Sequence, residues 1–307
     1  MRKKVFIAGQ EGMVGLSIFK LLKKKKFQII RCKRKELDLT NQNKVKSWFK
    51  KNKPNIVINA AGKVGGILDN QSYQLDYLYI NTMIGFNLLN ASIVNKVEKF
   101  INLGSACSYP KTTHQPIKEN YLLSSELEKS NEGYAIAKIA NIKLCEFANQ
   151  TPGRQYISLQ PANLYGAGDN FDLQSSHVIP ALLRKFHEAK INNCFFVEVW
   201  GSGKIKREFM HANDLAKAVL FCLKNKFTDP LINVGGPDHI TIKELATVIK
   251  KVVGYKGKII FNTNYPDGVK DRSLDKTILS KMGWKAKIKL KEGLVNYYKD
   301  FKKRKDY

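Results

Sequence analysis

A tyrosine and a lysine stand four residues apart in Tyr134-Ala135-Ile136-Ala137-Lys138, a spacing that puts both side chains on one face of a helix. Tyrosine is a poor acid or base at neutral pH. An ammonium group beside it lowers its pKa, so that the phenol can exchange a proton with a carbonyl or alkoxide oxygen. Ser105, expected at the carboxyl end of a strand, can hydrogen-bond the same oxygen. Ser105, Tyr134 and Lys138 together point to hydride transfer to or from a carbonyl. Two residues beyond the serine, Gly104-Ser105-Ala106-Cys107-Ser108-Tyr109-Pro110 carries a thiol. On a strand-end loop, Cys107 would act as base or acid on the carbon beside a ketone. Epimerisation at that carbon also needs a group on the opposite face. His177, in Ser175-Ser176-His177-Val178-Ile179-Pro180 at the start of a helix, is the candidate. By residue type alone, a lone cysteine or histidine is more often a packing residue.

Hydride chemistry calls for a dinucleotide, and Gly9-Gln10-Glu11-Gly12-Met13-Val14-Gly15 follows a strand pattern and opens a helix. Glycines at its first, fourth and seventh positions permit a tight turn and let a pyrophosphate sit on the helix N-terminus. Gly9, Gly12, Met13, Val14 and Gly15 are therefore expected to line the cofactor, with Lys138 reaching it from the catalytic side. An NAD enzyme presents Asp or Glu at the end of its second strand; here the chain reads Arg31-Cys32-Lys33-Arg34-Lys35. A cationic cluster suits a 2′-phosphate, so NADP(H) is expected, with Arg34 as its main contact and Lys33 and Lys35 as helpers. The plainer reading is a basic surface loop.

The elements that must position these groups follow from periodicity. Lys4 to Ala8 is a short apolar run ended by Gly9, and Val14, Ile18, Leu21 and Leu22 have helical spacing across Met13 to Leu22. Phe27 to Arg31, Asn55 to Ala61, Lys99 to Ser105 and Gln155 to Leu164 read as further strands. Asn43 to Lys51, Asn81 to Asn95 and Asn131 to Asn149 read as the helices between them. The alternation predicts an α/β fold, a Rossmann-type doubly wound parallel sheet with the chemistry at its carboxyl edge. After Gly166 come helices over Val178 to Lys190 and Asn213 to Lys224, a short strand over Phe195 to Trp200, and mixed patterns over Ile240 to Val253 and Lys289 to Lys302. A smaller mixed α/β lobe completing a cleft is expected. The dinucleotide domain would span residues 1–165 with returning elements from about 205–240, and the substrate lobe 166–204 and 241–307.

The chain has 307 residues, 43% of them hydrophobic, which supports a sizeable core and excludes disordered and collagen-like classes. Its net charge of +27 admits nucleic acid, an acidic surface or a phosphorylated small molecule as partner. The lysines spread from Lys3 to Lys305, densest at Lys23 to Lys26, without interleaved aromatics or a recognised binding module. Solvated helix faces are expected, and nucleic acid is not. Cys32, Cys107, Cys145, Cys194 and Cys222 form an odd set without a C-x-x-C pair, which suggests neither a disulfide framework nor a metal site and fits a reducing cytoplasm. The longest apolar runs fall far short of a membrane span, and no signal-peptide pattern precedes the first strand. A soluble, unprocessed cytoplasmic protein is expected.

Over nearly all its length the chain resembles the GDP-L-fucose synthase family of extended short-chain dehydrogenase/reductases. The stretches that carry the resemblance are VFIAGQEGMVG at Val5 to Gly15, KVGGI at Lys63 to Ile67, NLGSACSYPK at Asn102 to Lys111, YAIAKIANIKLCE at Tyr134 to Glu146, NLYG at Asn163 to Gly166, SHVIPALLRKFHEA at Ser176 to Ala189, VWGSG at Val199 to Gly203 and KVVGYKG at Lys251 to Gly257. The resemblance implies NADPH-dependent conversion of GDP-4-keto-6-deoxy-D-mannose to GDP-L-fucose, by 3,5-epimerisation and 4-keto reduction, in a homodimer. It assigns reduction to Ser105, Tyr134 and Lys138, epimerisation to Cys107 and His177, and the GDP-sugar to Asn163, Arg184, Lys185, Trp200 and Arg207. Cationic side chains suit a diphosphate and an indole can stack on a base; core packing is the plainer reading of Trp200.

Departures from the family pattern are Glu11 where an arginine is usual, Lys185 for a second arginine, Gly62 for alanine, Leu68-Asp69 after KVGGI, and Asn213 in the acidic pair before Asp214. Glu11 bears on the 2′-phosphate, and the loop after Ile67 on the identity of the sugar. The alternative is a reductase-only enzyme acting on a related GDP-4-keto sugar, such as a 6-deoxy-heptose, in capsule or surface polysaccharide synthesis. A 4,6-dehydratase would want an acid and base pair where this chain has Ala106-Cys107, and a simple 4-epimerase an acidic residue after the second strand. A non-catalytic NADP-binding regulator predicts a broken Ser105, Tyr134 and Lys138 set, which is intact.

Overall fold

The computed structural model describes residues 3–25, 27–265 and 267–304; Lys26 and Lys305, counted above in the basic surface, lie outside the described residues. In chain order the elements are β1 (Lys4–Ala8), α1 (Met13–Lys24), β2 (Gln28–Ile30), α2 (Gln42–Asn52), β3 (Ile56–Asn59), α3 (Ile67–Ser72), α4 (Gln74–Val94), β4 (Lys99–Leu103), α5 (Glu132–Ala148) and β5 (Gln155–Pro161). There follow β6 (Asn163–Tyr165), α6 (Val178–Ile191), β7 (Phe196–Trp200), β8 (Lys206–His211), α7 (Ala212–Lys224), β9 (Leu231–Val234), β10 (Asp238–Thr241), α8 (Ile242–Val253), β11 (Lys258–Asn262), β12 (Asp271–Arg272), α9 (Thr277–Lys281) and α10 (Leu290–Lys302).

Six strands form one parallel sheet in the order β2-β1-β3-β4-β5-β9, the doubly wound architecture expected from the alternation. Successive residues of β1 serve opposite faces. Val5 and Ile7 bury against Ile18 and Leu22 of α1 and Leu215 and Val219 of α7. Phe6 and Ala8 bury against Phe49 of α2 and Leu88 of α4. Each fully buried side chain of this size contributes about 1.5–3 kcal/mol, and burial on both faces is why the strands read as unbroken apolar runs. β2 and β3 lie on opposite sides of β1, so the winding reverses there and opens a crevice at the carboxyl ends of β1 and β3.

Two elements differ from the sequence reading. The run from Gln155 to Leu164 breaks at Ala162: β5 stays in the parallel sheet, whereas β6 pairs with β8 in a second sheet that also holds β10 and β12. One predicted strand thus crosses from one sheet to the other. Helix α4 begins at Gln74, well before Asn81, and α3 precedes it. Leu75 and Tyr79 in that early stretch are 77% and 59% exposed, so apolar positions there do not mark a buried face and the helical period is blurred.

β7 and β11 form a parallel pair, and α6, α8 and α10 enclose a second cluster around Leu183, Phe186, Phe209, Leu245 and Leu294. Helix α8 is delimited by a capping box between Thr241 and Glu244 and by left-handed Gly254. Among the described residues no helix is long and apolar enough to cross a membrane.

Candidate active site

At the carboxyl end of β1 the chain turns through Gly9, whose φ of +77° is left-handed. A Cβ on Gly9 would stand 2.7 Å from the Ala60 carbonyl oxygen beyond β3, and one on Gly15 would stand 2.0 Å from the Gly9 oxygen. The turn and the packing of α1 on β1 therefore require both glycines. Gly12 is different. Its backbone is extended (φ −76°, ψ 165°), open to any residue, and a Cβ there would meet the Gly9 oxygen at an ordinary 3.6 Å. What a side chain at Gly12 would fill is the cradle over the N-terminus of α1, where no side chain caps the helix and no acidic residue occupies the first turn. The N–H groups of Met13, Val14 and Gly15 open that helix, and a diphosphate is the group such a cradle fits.

Lys33, Arg34 and Lys35 follow β2 and, with Glu11 from the glycine turn, line a pocket of about 550 Å³. Gln10 donates to the Cys32 carbonyl (3.3 Å), and the Arg34 backbone N–H donates to the Glu11 carboxylate (3.4 Å). The glycine turn and the basic loop are joined at that point, so the expected cationic contacts and the unexpected carboxylate face the same space.

Past β4, Ser105 opens a single 3-10 turn over Ala106–Ser108. Its hydroxyl oxygen accepts from the Cys107 N–H (3.2 Å) and the hydroxyl hydrogen-bonds the Tyr134 phenol. On α5, Lys138 is 5% exposed, its Nζ lies 5.5 Å from the Tyr134 ring centre, and it donates to the Leu103 carbonyl (2.9 Å). Burial lowers this ammonium to about 8. The phenol moves against the sequence expectation. Burial raises its pKa, the neighbouring Cys107 adds to the rise, and the Ser105 hydrogen bond offsets it only in part. Burial is the leading cause of the rise, and Tyr134 rests as a protonated phenol.

The ring of Tyr77 meets that of Tyr134 edge-on, centroids 6.0 Å apart, and its hydroxyl donates to Asp69. Asp69, a departure in the sequence, thus braces the aromatic neighbour of Tyr134. What the sequence suggested as a loop after Ile67 is helix α3, and Gly66, which caps it, holds the segment before His177: the Gly66 N–H donates to the Ser175 carbonyl (2.8 Å), and a Cβ on Gly66 would stand 2.6 Å from the Ser176 oxygen. His177 caps the start of α6 at an exposed position, and desolvation lowers its pKa.

Arg207 on β8 comes within electrostatic range of Cys107, Asp271 and Asp267, and burial, reinforced by the neighbouring Arg272, lowers its pKa to about 10. Arg272, opposite it in register on β12, is buried and donates to the carbonyls of Ala106 (2.7 Å) and Pro110 (3.3 Å). It clamps the turn that carries Ser105 and Cys107. Lys185 lies with its Nζ 4.7 Å above the Trp200 ring and donates to the Glu198 carbonyl (3.2 Å). Tyr265 stacks on the same indole at 4.3 Å with 13° between the planes. At 37% exposed, Trp200 is not a core residue, but both its faces have neighbours. A base would stack there by displacing one of them or by extending the Trp200–Tyr265 pair.

Asn163 donates to the Glu208 carbonyl (3.0 Å), and Arg184 is held by Glu188 (2.6 Å) and the Phe171 carbonyl (3.1 Å), partners separate from the Lys185–Trp200–Tyr265 group. Sequence reasoning missed Arg272, Tyr265 and the Asp69–Tyr77 pair. Tyr265 adjoins Pro266-Asp267-Gly268, a turn signal that would have drawn attention to it; Asp267 there accepts from the Ser202 N–H and hydroxyl, both at 2.7 Å. Arg272 has no local signal.

A profile of the NAD dependent epimerase/dehydratase family matches residues 5–235. The GDP-L-fucose synthase of Sinorhizobium fredii is 45% identical over 299 residues, covering 97% of this chain and 95% of that one. The GDP-L-fucose synthase of Escherichia coli K12 is 45% identical over 315 residues, covering 99% and 98%. Among solved structures, a GDP-D-glycero-L-gluco-heptose synthase from Campylobacter jejuni in the presence of NADPH superposes with a TM-score of 0.92 at 35% identity, over 98% of both chains.

Proposed function

The chain belongs to the NAD dependent epimerase/dehydratase family and, within it, to the GDP-L-fucose synthase family, and from that membership we propose that it converts GDP-4-keto-6-deoxy-D-mannose to GDP-L-fucose by epimerisation at carbons 3 and 5 and NADPH-dependent reduction at carbon 4. The observation that carries this reading is the Ser105–Cys107 turn. It offers a hydroxyl to the Tyr134 phenol on one side and a thiol in range of Arg207 on the other. Groups for proton transfer at a ketone oxygen and at the carbon beside it thus share one turn.

NADPH, which the glycine turn and the N-terminus of α1 would hold, would supply the hydride for carbon 4. Ser105 and Tyr134 hydrogen-bond the ketone oxygen, which acidifies the adjacent C–H and stabilises the enolate formed when it is lost. Cys107 removes that proton, and His177 relays a solvent proton to the opposite face. Tyr134 then protonates the alkoxide left by reduction, and Lys138 holds a positive charge beside the phenolate so formed. Lys185, Trp200 and Arg207 hold the GDP end, with Asn163 and Arg184 at its margin. Most of residues 166–204 and 241–304, joined by β6, β8 and β10 through the second sheet, act as the substrate lobe, while Leu274 and Leu279 pack on the core of the dinucleotide domain, and the enzyme works in the cytoplasm. Incubation with the ketone and NADPH is expected to give GDP-L-fucose, identified by NMR; an alcohol that keeps the manno configuration at carbons 3 and 5 overturns the bifunctional reading. That second reading, reduction alone on a related GDP-4-keto sugar such as a 6-deoxy-heptose, is favoured by Asp69 on α3 and by the likeness to the heptose synthase.

With the Lys138 ammonium titrating at about 8, kcat/KM for reduction is expected to fall about tenfold per pH unit above that value as the charge is lost. Lys138→Arg, whose guanidinium keeps its charge, should move the limb upward. A profile flat to pH 10 counts against this role. The apolar side chains left exposed on α4 and α5, among them Leu75, Tyr79, Phe86, Ile136 and Phe147, form the face through which two copies pair. Light scattering is expected to return twice the 34.9 kDa chain mass, and a monomer would refute the pairing.

A further inference from the structure

Among the described residues Glu11 is the one acidic side chain lining the pocket formed with Lys33, Arg34 and Lys35. The glycine turn aims it there, and its carboxylate accepts the Arg34 N–H at 3.4 Å, so it shares the space in which those cations would receive a 2′-substituent. Two ligand chemistries meet it differently. A 2′-phosphate gains charge-assisted hydrogen bonds from Arg34 and the lysines and is repelled by the carboxylate among them. A plain ribose 2′-hydroxyl needs an acceptor, the part an acidic residue plays in NAD enzymes. Such enzymes present that acid from the end of the second strand, whereas here the strand end is basic and the acid arrives from the glycine turn.

We propose that Glu11 is a specificity-determining residue for the dinucleotide: it weakens the 2′-phosphate form and supports the 2′-hydroxyl form, so that NADP(H) is preferred over NAD(H) by a smaller margin than the three cations alone would set. The inference rests on the reading of this pocket as the 2′-phosphate site. Glu11 is exposed and outside the helix that follows, so its replacement leaves the turn glycines and the core untouched.

The test is direct binding of NADP+ and NAD+ to the whole protein, followed by calorimetry, without turnover. Glu11→Gln removes the charge and keeps an acceptor; it is expected to tighten NADP+ by about three- to tenfold at low salt and change NAD+ by less than twofold. The gain should shrink as salt screens the repulsion. Glu11→Ala removes the acceptor as well and is expected to weaken NAD+ by about threefold or more. Arg34→Ala is expected to lower the NADP+ to NAD+ affinity ratio at least tenfold. If Glu11→Gln leaves NADP+ affinity unchanged while Arg34→Ala lowers the ratio, the pocket stands and the role of Glu11 falls. If Arg34→Ala leaves the ratio unchanged, the 2′-phosphate lies elsewhere and both fall.

Discussion

Replacing Tyr134 by Phe is expected to slow ketone reduction by about two to four orders of magnitude, the usual cost of losing a general acid, while NADP+ affinity stays nearly unchanged. The substitution removes the phenolic oxygen and its bond to Ser105 but keeps the ring, and with it the edge-on contact to Tyr77. Ser105 still accepts the Cys107 N–H, so the turn keeps its shape. The glycine turn that carries the dinucleotide lies at the end of another strand. Because burial raises the Tyr134 pKa, the phenol keeps its proton throughout the neutral range, and the pH dependence of reduction should follow Lys138 instead. Single-turnover NADPH oxidation with a pre-epimerised ketone isolates the step. A near-normal rate in Tyr134→Phe would place the proton donor elsewhere.

A comparably large effect is expected on isotope incorporation. In heavy water the unmodified protein, given GDP-4-keto-6-deoxy-D-mannose and NADPH, should yield GDP-L-fucose carrying deuterium at carbons 3 and 5, because each inversion exchanges a carbon-bound proton for one from solvent. Cys107→Ser keeps a side chain of similar size on the clamped turn but replaces the thiol with a far weaker acid. It is expected to lower labelling by at least about two orders of magnitude while sparing hydride transfer to the pre-epimerised ketone. The separation of the two effects is the informative part, since a distorted turn would impair Ser105 and slow both. An unlabelled, unepimerised alcohol from the unmodified protein would establish the reductase-only reading. Turnover of a GDP-4-keto-heptose without turnover of the mannose derivative would move the assignment to the heptose branch, with Asp69 and its partner Tyr77 the first place to seek the reason.

The sequence by itself determined what rests on local signals. Turn chemistry and period place Gly9 to Gly15 between β1 and α1, Ser105 and Cys107 just past β4, and Tyr134 and Lys138 one turn apart on α5. Unbroken apolar runs such as Lys4 to Ala8 announce strands buried on both faces, and their alternation with helices leaves a parallel doubly wound sheet as the ready solution. The same rules failed where the local signal was ambiguous. Gln155 to Leu164 reads as one strand but is two strands in two sheets, and the start of α4 carries apolar residues on its exposed side.

Only the tertiary structure decided which distant groups meet and which charges lose water. Arg272 holds the Ala106 carbonyl across 166 residues of chain, and nothing near it in the sequence marks it. Tyr265 closes one face of Trp200, and Asp69 of α3 bonds Tyr77 of α4, which packs on Tyr134, because segments from separate parts of the chain converge. The direction of the Tyr134 shift belongs to the same class. Spacing shows that an ammonium is near, but the desolvation that raises the phenol is a property of the packed cleft. Glu11 and Arg34 meet for the same reason: the parallel pairing of β1 with β2 sets the glycine turn beside the end of β2. Contacts between residues far apart in the chain, and the solvent they exclude, exist only once it has folded back on itself.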